Sequence, residues 1–230
     1  LCNVDRNRAL DGIRALACMA VVACHAGVPG CISAARVGVQ AFFVLSGYLI
    51  TGMIADRTAG GAWRYRSFLG ARMRRLMPPL VVMLAAVTLA GLVFDGRDAE
   101  ALAAWSLIAA TYLTDVARLA GAGSPVVGHT WTLAVEMQFY LVWPFVLAPI
   151  LRTSAPGLVL AIIAGGLACL WPFSPPVLVE INPAPLVIGG ALAFVKLPVP
   201  PAIARVLAWG PLPTIGLLSY GIYLWHLPIA

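Results

Sequence analysis

Charge is what this sequence has least of. Only 10% of its 230 residues are Asp, Glu, Lys or Arg, against about 25% in an ordinary soluble domain. That excludes a water-exposed globule and points to lipid as the main solvent. No CxxC pair and no metal-ligand spacing connect the five cysteines, Cys2, Cys18, Cys24, Cys31 and Cys169, so neither a redox motif nor a metal site is expected. Cys18 and Cys169 lie in apolar runs and read as packing residues. A Cys24–Cys31 bridge in an outer loop is the one pairing considered. Internal repeats and a soluble domain are also missing. No starting Met and no signal peptide precede the first apolar run, and the chain stops at Pro228-Ile229-Ala230 within another, so either end can be incomplete.

What is present is apolar. Hydrophobic residues make up 61% of the chain, and its mean hydropathy is +0.93. The sequence predicts an all-α, polytopic membrane protein of about eight to ten transmembrane helices, forming one domain over residues 1–230. Net charge is +6, but Arg57, Arg64, Arg66, Arg72, Arg74 and Arg75 crowd into one stretch. Such a cluster marks a cytoplasmic loop rather than a nucleic-acid groove. Residues 56–75 are therefore read as an inner loop on the membrane surface, with Pro78-Pro79 in the first turn of the next span. Spans are expected near Leu10–Ala26, Val37–Ala55, Leu76–Phe94, Ala101–Val116, His129–Leu151, Gly157–Pro172, Ile181–Phe194 and Thr214–Ala230. Ala202–Trp209 is too short to cross alone.

The first span carries an unusual pattern. Ten of the eleven residues from Ala15 to His25 are apolar, yet the run opens with Asp11 and Arg14 and closes on His25. Eleven helical steps of about 100° return to within roughly 20° of the start, so Arg14 and His25 share a face about 16 Å apart along it. Ionisable groups cost roughly 2.5–3.5 kcal/mol each at a membrane-helix centre, so those that remain usually face a polar interior. A cavity along the length of this helix is expected. Asp11 and Arg14, three residues apart, could equally neutralise each other at the inner interface.

Other candidates follow from the same reasoning. His25 suits a general base, and Glu136, deep in apolar sequence, could orient it if their spans pack together. Arg72 and Arg75 lie one turn apart, so both can face one phosphate, although topology explains their charge equally well. Ser46 and Gly47 fit close helix approach, whereas the membrane amide of Gln40 needs a partner. His129 reads as an interfacial histidine. His226, on a face with Ser219 and Tyr223, reads as a hydrogen-bonded core residue or a catalytic one. Trp131 and Trp143 sit near the two interfaces or line a pocket.

Five stretches together resemble the membrane acyltransferase-3 family. LDGIRALACMAVVACHAG is similar to its first helix with an Arg-x10-His pattern, here Arg14 and His25. RVGVQAFFVLSGYLIT resembles its second helix, and ARMRRLMPPL its Arg-x-x-Arg segment, here Arg72 and Arg75. HTWTLAVEMQFYLVWP resembles its Trp-Ser-Leu-x-x-Glu-x-Gln-Phe-Tyr segment, with Thr132 in the Ser place. IGLLSYGIYLWHLPI resembles its late Ser-Tyr-x-x-Tyr-Leu-x-His segment. Gln40 departs from the usual Asp or other small polar residue. The region between Glu136 and His226 is shorter than in typical members, and the spans stop one or two helices before theirs.

The resemblance implies a bacterial inner-membrane, multi-pass enzyme that moves an acyl group, commonly acetyl, from acyl-CoA to a hydroxyl of a cell-surface carbohydrate or glycolipid. It implies acyl-CoA as a donor substrate, with no tightly bound cofactor, no metal and no nucleic-acid partner. His25 and Glu136 are the catalytic candidates. Arg14, Arg72, Arg75, Ser46, Tyr48, Trp131 and His226 are the substrate- or donor-binding candidates. A proton-coupled transporter and a non-catalytic membrane scaffold are the rival classes.

Overall fold

The structure is a computed structural model that describes residues 8–94, 99–170, 182–195 and 200–229. Among the described residues it consists of ten α-helices and one 3-10 turn, with no strand. They are α1 (Arg8–His25), α2 (Ile32–Ala59), α3 (Tyr65–Phe94), α4 (Ala99–Ala110), α5 (Thr114–Leu119), α6 (Trp131–Ile150) led in by the 3-10 turn Gly128–Thr130, α7 (Pro156–Leu170), α8 (Ala184–Leu192), α9 (Pro201–Leu207) and α10 (Leu212–Ile229). The all-α membrane bundle read from composition is what is found. By length and composition α2, α3 and Gly128–Ile150 each suffice to cross a bilayer, and α9 with α10, bent by 55°, passes as a broken fourth span. At 18 residues, α1 is apolar except for Arg8, Asp11 and Arg14 near its start and His25 at its end.

Lipid tails give helices little hydrophobic reason to associate, so close packing of small residues carries the bundle. Two glycines show it. A Cβ at Gly47 of α2 would lie 1.9 Å from the Leu186 carbonyl oxygen of α8, and one at Gly216 of α10 would lie 1.9 Å from that of Asp11 on α1. Backbones touch at both points, which fixes where α2 crosses α8 and where α10 crosses α1. Leu80 and Met83 of α3, Leu147 of α6 and Leu224 of α10 are fully buried in the shared core. Cys18 packs there as expected, its thiol donating to the Ser219 carbonyl at 3.6 Å. Cys169 is exposed, and Cys24 and Cys31 are both free rather than bridged.

The inner loop is much shorter than expected. Only Gly60–Arg64 separates α2 from α3, and Arg66, Arg72, Arg74 and Arg75 ride on the first turns of α3. Pro78 and Pro79 accordingly sit inside that 30-residue helix and not at its start. Each proline removes one intrahelical bond, a loss that membrane helices tolerate when neighbours supply donors. The carbonyls so freed are those of Arg74 and Arg75; the Tyr220 hydroxyl of α10 donates to the next carbonyl along, that of Leu76, at 2.6 Å.

The expected span Ala101–Val116 is broken too. Tyr112 adopts φ 55°, a left-handed conformation that ends α4. The Gln138 side-chain amide on α6 holds the break, donating to the Tyr112 carbonyl at 3.4 Å and to the Asp115 carboxylate at 3.0 Å. The ends of three other expected spans, Pro172, Ile181 and Ala230, lie outside the described residues, as does Pro198 in the Pro-rich connector.

Candidate active site

A cavity of about 1480 Å³ opens between α1, α2, α3, α6 and α10. Its basic part is built locally. Arg72 and Arg75, one turn apart on α3, both line it, and so do Arg14 of α1 and Arg57 at the end of α2. Arg14 pairs with the buried Asp11 carboxylate at 3.5 Å. The Arg72 guanidinium lies 5.7 Å from the ring centres of both Phe68 and Tyr140, and its Nη2 approaches the Met53 sulfur at 3.7 Å. Cation–π contact of this kind holds a cation without neutralising it. Arg72 therefore keeps its charge available to an anion in the cavity.

Glu136 lines the same cavity from α6. Its Oε1 accepts hydrogen bonds from the Ser46 hydroxyl on α2 and from the Tyr140 hydroxyl one turn along α6. Ser46 thus does more than allow close packing: it ties α2 to α6 through a carboxylate. Glu136 is not bonded to His25, and α6 is not among the main neighbours of α1, which packs on α10, α2 and α9. Tyr48 also lines the cavity and is 37% exposed.

The cavity does not follow α1 along its length. It touches Leu10, Asp11 and Arg14, whereas His25 lies outside it. Tyr223 and Thr132 close that end: the Tyr223 hydroxyl pairs with the Thr132 hydroxyl at 2.8 Å and donates to the His129 carbonyl at 2.9 Å. Beyond this wall three histidines meet. The His25 and His226 ring centres are 4.9 Å apart, and those of His226 and His129 are 5.1 Å apart. His25 donates its Nδ1–H to the Val21 carbonyl at 2.9 Å, which leaves Nε2 as the basic nitrogen.

His226 is therefore next to His25, and His129, read from sequence as interfacial, is buried beside both Tyr223 and His226. No sequence spacing joins His25, His129 and His226; the one available signal for His129 was its place just ahead of Trp131, Thr132 and Glu136. Trp131 packs edge-on against Phe43 at 6.1 Å, with the Arg118 guanidinium 5.9 Å from its ring centre. Trp143 donates to Thr51 at 2.8 Å within the core. Gln40 Oε1 is buried with no hydrogen-bond partner among the described residues. Among the same residues no group of three or more His, Cys, Asp or Glu is arranged to hold a metal ion.

Long apolar helices around an arginine-lined cavity, with a histidine cluster behind its far wall, define a multi-pass helical membrane protein with a buried polar site. The sequence profile of the acyltransferase-3 family, an acyltransferase domain, matches residues 7–209. The chain belongs to that family. It is 28% identical, over 96% of its own length, to the peptidoglycan O-acetyltransferase OatA of Listeria monocytogenes, of which the match covers 49%. It is 25% identical, over 96% of its length, to YrhL of Bacillus subtilis, whose name assigns peptidoglycan O-acetylation provisionally and of which 48% is covered. A Staphylococcus aureus protein named provisionally as an O-acetyltransferase is 30% identical over 63% of this chain and 25% of its own length. The chain spans about half the length of the two relatives that it matches from end to end. No solved structure matches it.

Proposed function

We propose that the protein is an integral membrane O-acyltransferase that moves an acyl group, acetyl in the simplest case, from acyl-CoA to a hydroxyl of a cell-surface carbohydrate. Family membership supports acyl transfer, and the names of OatA and YrhL support a carbohydrate acceptor. The observation that carries the reading is the layout of the site: four arginines line a cavity large enough for a cofactor-sized donor, and a histidine with a free Nε2 stands behind its opposite wall. Arg14, Arg72 and Arg75 would hold the phosphates of coenzyme A, as paired guanidinium groups do. The acceptor hydroxyl would lose its proton to His25 Nε2 and attack the thioester carbonyl. The C–S bond then breaks and the thiolate is protonated as it leaves. General-base assistance of this kind typically contributes about 10²–10⁴-fold.

Glu136 enters this reading as an organiser of Ser46 and Tyr140 at the cavity wall. Tyr48 would contact substrate from α2, whereas Trp131 packs on Phe43 and Arg118 and does not line the cavity. Arginine-rich ends stay on the cytoplasmic side, so the donor would enter from the cytoplasm and His25 would work near the outer face of the bacterial inner membrane.

The experiment is transfer from radiolabelled acetyl-CoA in membranes that carry the wild-type chain or His25→Ala. The expected result is label on surface glycan with the wild type and its loss in the variant. Equal transfer by the two would overturn His25 as the base, and no transfer by either would overturn the enzyme reading for this chain.

A further inference from the structure

The cavity changes character along its length, and three helices agree on the direction. On α2 the residues that face it run from Arg57 and Asp56 through Ser46 to Phe42 and Val39. On α6 they run from Tyr140, against Arg72, through Glu136 to Leu133 and Thr132. On α10 they run from Leu217 to Tyr223. Arg57 and Phe42 are about 22 Å apart along α2 at ~1.5 Å per residue. One end of the cavity is therefore basic, and the other presents apolar and aromatic side chains together with the Thr132–Tyr223 hydroxyl pair.

The far end is closed and held in place. The Phe42 ring of α2 meets the Tyr223 ring of α10, with centres 6.4 Å apart. Tyr223 is buried, and its hydroxyl is tied to Thr132 at 2.8 Å and to the His129 carbonyl at 2.9 Å. It cannot swing aside without giving up both bonds. The Tyr223 ring also lies 5.3 Å from His226, whose ring is 4.9 Å from His25. The closed end is thus the end that faces the proposed base.

We propose that Phe42, seated against Tyr223, limits the acyl group that the site accepts to acetyl. The inference rests on the acyltransferase reading above and deepens it by naming the residue that selects the donor. With the phosphates of coenzyme A on the arginines, the thioester lies toward His25 and its acyl tail meets Phe42. The phenyl ring offers no hydrogen bond, so it acts by size. A hydrophobic pocket discriminates one methylene by about 10–200-fold, and a close-packed wall has little room to yield. An acetyl group ends at that wall, whereas propionyl and butyryl would press further methylenes into the Phe42 ring.

The test sets equal concentrations of acetyl-CoA and butyryl-CoA in competition, in membranes that carry the wild-type chain, Phe42→Ala or Leu49→Ala. The ratio of the two acyl groups on surface glycan is read by mass spectrometry, so the amount of folded protein cancels. The wild type is expected to favour acetyl by about 100-fold or more. Phe42→Ala removes a ring from the end wall and is expected to narrow that preference by at least about 10-fold. Leu49 lines the same cavity from the same helix, about 10 Å nearer the basic end, and Leu49→Ala is expected to keep the wild-type ratio. Where Phe42→Ala does not assemble, Phe42→Leu decides by the same ratio, with propionyl-CoA in place of butyryl-CoA. A wild type that transfers butyryl as readily as acetyl overturns the assignment while the enzyme reading stands. So does a preference that is unchanged in the Phe42 variant or relaxed equally in Leu49→Ala. Absence of any acyl transfer by the wild type overturns both.

Discussion

Replacing Glu136 separates its structural role from any role of its charge. In the structure one carboxylate oxygen accepts two hydroxyls, Ser46 from α2 and Tyr140 from α6. A hydrogen bond to a charged group is worth about 1.5–3 kcal/mol. Glu136→Ala strands both donors, a gross loss of about 3–6 kcal/mol. Water from the adjoining cavity recovers part of this, which leaves roughly 2–4 kcal/mol. For a chain of this size each kcal/mol moves the midpoint by about 2–4 °C, so the alanine variant is expected to melt roughly 4–16 °C lower. Glu136→Gln keeps an acceptor oxygen in place and loses only the charge assistance, so about 2–4 °C is expected.

The assay is the temperature at which detergent-solubilised protein leaves the monodisperse peak, read beside acetyl transfer. A double-mutant cycle with Ser46→Ala is expected to show coupling of about 1 kcal/mol or more, as for residues in direct contact. Equal destabilisation by Gln and Ala, with no coupling to Ser46, would refute the bridge. A Gln variant that is stable but wholly inactive would show that the charge is used in the chemistry, against the organiser role.

Three further outcomes follow from the geometry. Arg72→Ala is expected to raise the KM for acetyl-CoA by about 10–100-fold, the worth of one charge-assisted phosphate contact, while Arg72→Lys, which keeps the charge but not the planar fork, falls between; a fall in kcat at unchanged KM would argue against donor binding. Gly216→Ala is expected to block assembly or sharply lower thermostability, because its Cβ would fall 1.9 Å from a backbone oxygen, whereas Gly221→Ala on the same helix meets nothing within 4 Å and should be neutral or slightly stabilising. In intact cells, membrane-impermeant maleimide is expected to label free Cys31 from outside but not an introduced Arg57→Cys; labelling of both from one side would overturn the proposed sidedness.

Features set by neighbours along one helix were legible in the sequence. The all-α membrane class followed from composition. The 3.6-residue period placed Arg72 and Arg75 on one side of α3, where both line the cavity, and Asp11 beside Arg14 on α1. Other features were decided by contacts between distant segments. Gln138 of α6 holds the left-handed turn at Tyr112 that divides an expected span, and no local signal announced it. Residues 56–75 read as an inner surface loop because clustered arginines mark cytoplasmic loops, but α2 runs on to Ala59 and α3 already starts at Tyr65 and continues through the arginines and both prolines.

The site shows the same division. Arg14 and His25 do share a helix, yet Tyr223 and Thr132 come between the cavity and the histidine. The meeting of His25, His129 and His226, and the bonding of Glu136 to Ser46 and Tyr140 rather than to His25, depend on where α1, α2, α6 and α10 cross. Those crossings are set by backbone contacts at positions such as Gly47 and Gly216. By itself the sequence determined the solvent, the helices and which residue types each helix carries, because those depend on composition and a local period. Only the tertiary structure decided which of these residues share a site, because that depends on the packing of surfaces far apart in the chain.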